Sequence, residues 1–148
     1  MLLSVSALRG VARRGQGVKR VVRRRPIRNS MLAALPRKQY QRLLGSLESV
    51  ALVFGEVLYE PGERIRYVYF PDDSLVSLLT LVEGRLALEV GMVGREGMVG
   101  VPLSLGTDIS PIRALVQGAG TALRMKSACF CKELTHSSNS RLTIIRAR

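Results

Sequence analysis

"RIRYVYFPDDSLVSLLTLVEGRLALEVGMV", residues 64–93, settles the secondary-structure class of this 148-residue chain. Ile65, Tyr67 and Tyr69 alternate with Arg66, Val68 and Phe70 until Pro71-Asp72-Asp73 stops the run. "SLVSLLTLV" is apolar at both parities, as a central strand is, and Glu83-Gly84 turns it. In "LALEVGMV", Leu86, Leu88, Val90 and Met92 share one parity, and Ala87, Glu89 and Gly91 the other. Period-two runs of this length, punctuated by Pro, Gly and Asp, are strands joined by turns.

Outward from that stretch the pattern holds. "VALVFG" and "EVLYEPGE" read as two further strands, the second entering a turn at Pro61-Gly62, and "RALVQGAGTALRM" supplies the last ones. Upstream the period changes. Pro36 suits a helix start, and Tyr40, Leu43, Leu44 and Leu47 recur at helical spacing before Gly45 and Ser46 close the helix. Downstream, "SACFCKELTH" opens like a helix and gives way to Ser/Thr/Asn-rich sequence. The expected fold is mainly β: a double-stranded β-helix or jelly-roll barrel with a short N-terminal and a short C-terminal helix. No helix alternates with the strands, which argues against a parallel nucleotide-binding sheet.

Charge divides the chain. Residues 1–29 hold nine basic residues and no acid, out of a net charge of +12. The basic character therefore belongs to an extension, residues 1–28, expected to be disordered; the folded unit is expected over 29–126 and a truncated helix and tail over 127–148. No apolar run approaches the ~20 residues that span a bilayer, and no secretory signal is present, so a cytoplasmic protein is expected. Cys129 and Cys131 are too close for a good disulfide, and with His136 they offer three metal ligands where a closed zinc site takes four. No metal and no catalytic residue is assigned: His136, the one histidine, lies in the tail, and the paired acids Asp72-Asp73 and Glu60/Glu63 sit in turns.

"VGREGMVG", residues 93–100, spaces Gly94, Gly97 and Gly100 three apart. Glycines so placed bare the backbone, either for close packing or for approach of a phosphate to N–H groups. In context the chain resembles the sensor domain of Crp/Fnr-type bacterial transcription regulators, the cyclic-nucleotide-binding fold. The resemblance rests on "LLGSLESVALVFGEVLYEPGERIRYVYFP", "LEVGMVGREGMVGVPLSLG" and "SPIRALVQGAG" in that order, from about Asn29 to Lys126. In that family a glycine-rich turn cradles a cyclic phosphate, an arginine pairs with its charge and a glutamate holds the ribose. The resemblance implies a site at Gly97, Met98, Val99, Gly100, Arg113 and Ala114, for a cyclic nucleotide or another small effector, if any is bound. Arg113-Ala114 stand for the phosphate arginine and its small neighbour. Met98 stands where the ribose glutamate belongs and Glu96 one place early, which implies weak cAMP binding.

Two structural alternatives stand beside this reading: Arg113 salt-bridges Glu96 or Glu89, and the glycines only let a turn pack on strands. The turn is expected to carry a short helical start, beside the strand that begins at Arg113. Too little sequence follows Lys126 for a dimerisation helix and a winged helix-turn-helix, so a monomer or weak homodimer is expected, with no sequence-specific DNA binding by the chain alone. The alternative function is non-specific nucleic-acid binding through the arginine-rich extension.

Overall fold

A computed structural model describes residues 26–83 and 86–136. Expectations placed on residues 1–25, on Gly84 and on the tail from 137 lie outside the described residues.

The described chain begins with two short helices. Asn29 caps α1 (Ser30–Ala33), its side-chain oxygen accepting from the Met31 and Leu32 backbone N–H groups. α2 (Arg37–Leu44) starts immediately after Pro36 and ends at Gly45. Leu43 and Leu47 are buried, but Leu44 stays 43% exposed. Adjacent residues lie about 100° apart on a helix, and a helix of two turns buries one narrow stripe.

Seven antiparallel strands follow: β1 (Glu48–Leu52), β2 (Val57–Tyr59), β3 (Tyr67–Pro71), β4 (Leu75–Val82), β5 (Leu86–Val93), β6 (Arg113–Gly118) and β7 (Gly120–Lys126). They form a three-stranded sheet in the order β1-β7-β3 and a four-stranded sheet in the order β2-β6-β4-β5. The chain is thus mainly β, of the jelly-roll type, with two facing sheets that do not close into a continuous barrel. Both parities of β3 are buried: Val68 and Phe70 on one, Tyr69 on the other. Val76, Ala114, Val116 and Ala122, all fully buried, extend the core across both sheets.

β5 departs from simple alternation. Its register against β4 passes from Gly91 opposite Leu78 to Glu89 opposite Leu79, so Val90 is an extra, bulged residue. Leu88, Val90 and Met92 are each about half exposed, and Val93 is the residue that packs on the core.

A 3₁₀ segment (Val101–Leu105) connects the glycine turn to the loop before β6. β7 runs straight into α3 (Ser127–His136), whose Ser127 N–H donates to the Arg66 carbonyl. Phe130 buries α3 against the core, and Arg42 reaches Glu133 at 3.8 Å to tie α2 to α3. Cys129 and Cys131 are free thiols on α3, where residues two apart point nearly opposite ways. Among the described residues, no helix is long and apolar enough to cross a membrane.

Candidate effector site

The glycine turn lies on β3. Val99 and Tyr69 exchange both backbone hydrogen bonds, at 2.8 and 3.0 Å, so the turn adds a one-residue rung to the edge of the three-stranded sheet. Gly97 N–H donates to the Gly94 carbonyl at 3.1 Å, and the Glu96 carboxylate accepts from Gly94 N–H at 2.8 Å. Ser30 N–H donates to the Arg95 carbonyl, and the amide of Asn29, wholly buried, donates to Gly97 and Pro71 carbonyls at 2.9 and 3.0 Å. The stretch 94–100 is therefore a turn held from three sides. No helix falls within it; the 3₁₀ segment begins at Val101.

Gly100 ends the turn at φ +111°, a backbone that side chains rarely adopt, and an added Cβ would lie 2.9 Å from Val68 Cγ1. Met98 and Val99 are 4% and 1% exposed and belong to the hydrophobic core.

Arg113 and Ala114 lie on β6, in the other sheet. Ala114 is fully buried opposite both Tyr59 of β2 and Leu78 of β4, where its methyl leaves room for two larger neighbours. Tyr59 joins the halves of the site. Its ring is buried, and the Gly100 backbone hydrogen-bonds its phenol. Burial pushes the Tyr59 phenol far above its ordinary value, the neighbouring Tyr69 adds to this, and the Gly100 hydrogen bond works against it. Tyr69 is also raised by burial, while Arg124 works against the rise.

Arg113 pairs with neither Glu96 nor Glu89. Its Nε donates to Glu60 Oε2 at 2.7 Å, both side chains being a little over one-third exposed. Glu96 is committed to the turn. Glu89 faces Leu79, which in turn faces Arg113, so a strand lies between the two charges, about 9.5 Å of strand spacing. Glu89 instead accepts from Ser77 Oγ at 2.6 Å.

The sequence-assigned residues thus fall in two clusters: Gly97, Met98, Val99 and Gly100 on β3, and Arg113 and Ala114 on β6. Three residues that organise them were not singled out as such: Asn29, Tyr59 and Glu60. Glu60 had a signal, an acid directly before a Pro-Gly turn, but its partner is 53 positions away. Among the described residues, no group of three His, Cys, Asp or Glu side chains is placed to hold a metal ion.

No protein-family model matches the sequence, and no curated protein matches it. Solved structures do match. The chain superposes on the regulatory domain of Toxoplasma gondii PKA, crystallised with cAMP, at a TM-score of 0.66 and 14% identity, covering 78% of this chain and 44% of that one. The sensor domain of the transcriptional regulator DNR from Pseudomonas aeruginosa gives 0.61 at 17% identity, covering 74% and 73%. The N-terminal domain of a transcriptional regulator from Streptomyces coelicolor A3(2) gives 0.63 at 21% identity, covering 80% and 87%. The chain spans about half the length of several of the structures it matches. Its fold is therefore that of cyclic-nucleotide-binding domains, including sensor domains of transcription regulators. These neighbours are regulatory rather than catalytic domains.

Proposed function

We propose that this chain is the effector-sensing domain of a Crp/Fnr-type transcription regulator. In this reading Gly97, Met98, Val99, Gly100, Arg113 and Ala114 mark the effector side of the fold, and the effector is a small anion other than cAMP. The observation that carries the reading is the superposition on the Streptomyces regulator's N-terminal domain, over most of both chains. The side chains argue against cAMP. Met98, buried and bearing only a thioether, offers a ribose hydroxyl a weak acceptor. Glu60 already neutralises Arg113, so an incoming anion must displace a carboxylate.

Calorimetric titration with cAMP, cGMP and linear nucleotides tests this. Weak binding is expected of the unaltered chain, strengthened for anions by Glu60→Gln and lost in Arg113→Gln. Met98→Glu should improve cAMP binding. Tight cAMP binding by the unaltered chain refutes the argument from Met98.

The nine basic residues of 1–29 support a second reading, non-specific nucleic-acid binding by that extension. Its affinity for duplex DNA should fall with salt at a slope of about −0.9 per phosphate neutralised. Deleting residues 1–28 should abolish it; sequence-selective binding that survives the deletion overturns it.

A further inference from the structure

A cleft of about 400 Å³ opens where the two sheets fail to close. Its walls come from β2 and β3, each the end strand of its own sheet. Tyr59, Tyr67, Tyr69, Glu63, Arg64 and Arg66 line it; neither Arg113 nor any residue of the glycine turn does. Three of the chain's four tyrosines therefore meet in one opening.

The tyrosines have distinct roles. Tyr59 and Tyr69 are buried and form the floor, and burial raises both phenols. Tyr67 is the half-exposed wall, its ring 6.3 Å from that of Tyr69 and tilted by 53°. The Arg124 guanidinium sits 4.3 Å from the Tyr67 ring centroid and is itself held by Glu48, so that ring is fixed in place.

The charges at the mouth also differ. Arg64 is paired with Asp108 at 3.3 Å, and Glu63 accepts from the Glu60 backbone N–H. Arg66 is exposed and takes part in no ion pair among the described residues. An aromatic lining together with one guanidinium outside any ion pair suits a flat ring carrying one acidic group. The volume admits one or two rings. Glu63, on the same rim, disfavours a polyanion.

We propose that this seam is a binding site for a small aromatic anion, its ring against Tyr67 and Tyr69 and its acidic group on Arg66. The site is separate from Arg113 and does not depend on what Arg113 binds. The Arg66 carbonyl accepts from Ser127 N–H, at the root of α3.

The full chain is titrated by isothermal calorimetry with phenyl phosphate and, separately, with inorganic phosphate and with phenol. A saturable heat change is expected with phenyl phosphate, with the two fragments at least about tenfold weaker. Arg66→Gln, at an exposed position that leaves the fold intact by far-UV circular dichroism, should weaken phenyl phosphate by about tenfold or more, and Arg113→Gln should leave it unchanged. The proposal is overturned by no saturable change with phenyl phosphate, by equal affinity for inorganic phosphate, by an Arg66→Gln chain that binds as well as the parent, or by loss of binding in Arg113→Gln.

Discussion

Replacing Asn29 tests whether the glycine turn is held as described. The Asn29 side chain makes four hydrogen bonds from a fully buried position: it accepts from Met31 and Leu32 N–H and donates to the Pro71 and Gly97 carbonyls. Asn29→Ala removes a helix cap, about 1 kcal/mol, and leaves two sheltered carbonyls without a donor, roughly 1–3 kcal/mol each. Losses within one network are not additive, so an overall cost of about 3–4 kcal/mol is expected, a large part of the ~5–15 kcal/mol that holds a domain. Urea unfolding followed by far-UV circular dichroism measures it. Asn29→Asp separates the two roles, because a carboxylate keeps the cap but cannot donate to the carbonyls when ionised. Burial against two carbonyl oxygens raises that carboxyl's folded pKa. The variant's stability relative to the parent should therefore be greatest below pH ~4, the ordinary aspartate value, and should fall as pH rises through the raised folded value. A cost under about 1 kcal/mol for Asn29→Ala, with an Asn29→Asp chain indifferent to pH between 3 and 7, would refute the anchoring role.

Gly100→Ala combines an unfavourable backbone, about 1–3 kcal/mol, with a 2.9 Å approach to Val68 Cγ1; adding Val68→Ala should relieve the contact but not the strain, so thermal melts should show partial rescue only. At alkaline pH, the raised Tyr59 phenol gives stability that is complete below the ordinary value of 10.0 and declines as pH rises beyond it, visible in urea midpoints measured from pH 8 to 11.5. At the acid end, Thr121 holds the Asp73 carboxyl below its ordinary 3.8 through backbone N–H and hydroxyl, so that contribution is present above pH 3.8 and is lost as pH falls through the lowered value; Asp73→Asn should flatten this limb.

Legibility in the sequence followed the range of the interaction. Strand positions and the turns at Pro61-Gly62 and Pro71-Asp72-Asp73 are local matters of period and backbone preference, and the period-two runs from Val57 to Met125 each appear as strands. The helix α1 was not legible: four residues carry no periodicity, and it exists because Asn29 is fixed by carbonyls 42 and 68 positions away. The outward face of β5 was hidden for a similar reason, since a bulge at Val90 is visible only in the pairing with β4. At the candidate site, the glycines announced a tight turn. Which partners it meets, Tyr69 on one side and Tyr59 on the other, depends on sheet order, which a single sequence does not encode locally. The Arg113 partner illustrates this best: Glu89 shares its cross-strand row but lies a strand too far, whereas Glu60 adjoins Tyr59, whose register opposite Ala114 brings it beside Arg113.

The same register explains how anion recognition can be divided in this molecule. A backbone N–H donates to one strong acceptor at a time. In the turn, Gly94 N–H is given to Glu96, Gly97 N–H to the Gly94 carbonyl, Val99 N–H to Tyr69 and the Gly100 backbone to the Tyr59 phenol. A phosphate taking those N–H groups would compete with the bonds that shape the turn and join it to β3. Each broken bond returns an unpaired polar group to a buried setting, at a cost comparable to what the new contact contributes. Glycine spacing that reads equally as an anion cradle and as a packing turn thus has several of its N–H groups already committed to protein acceptors. Affinity for anions then falls to guanidinium groups, whose capture of a ligand leaves the backbone ladder intact. Arg113 has a carboxylate to shed first. Arg66, in the same cleft lining as the three tyrosines and without an ion-pair partner among the described residues, has none to shed, and that asymmetry favours the seam for an aromatic anion.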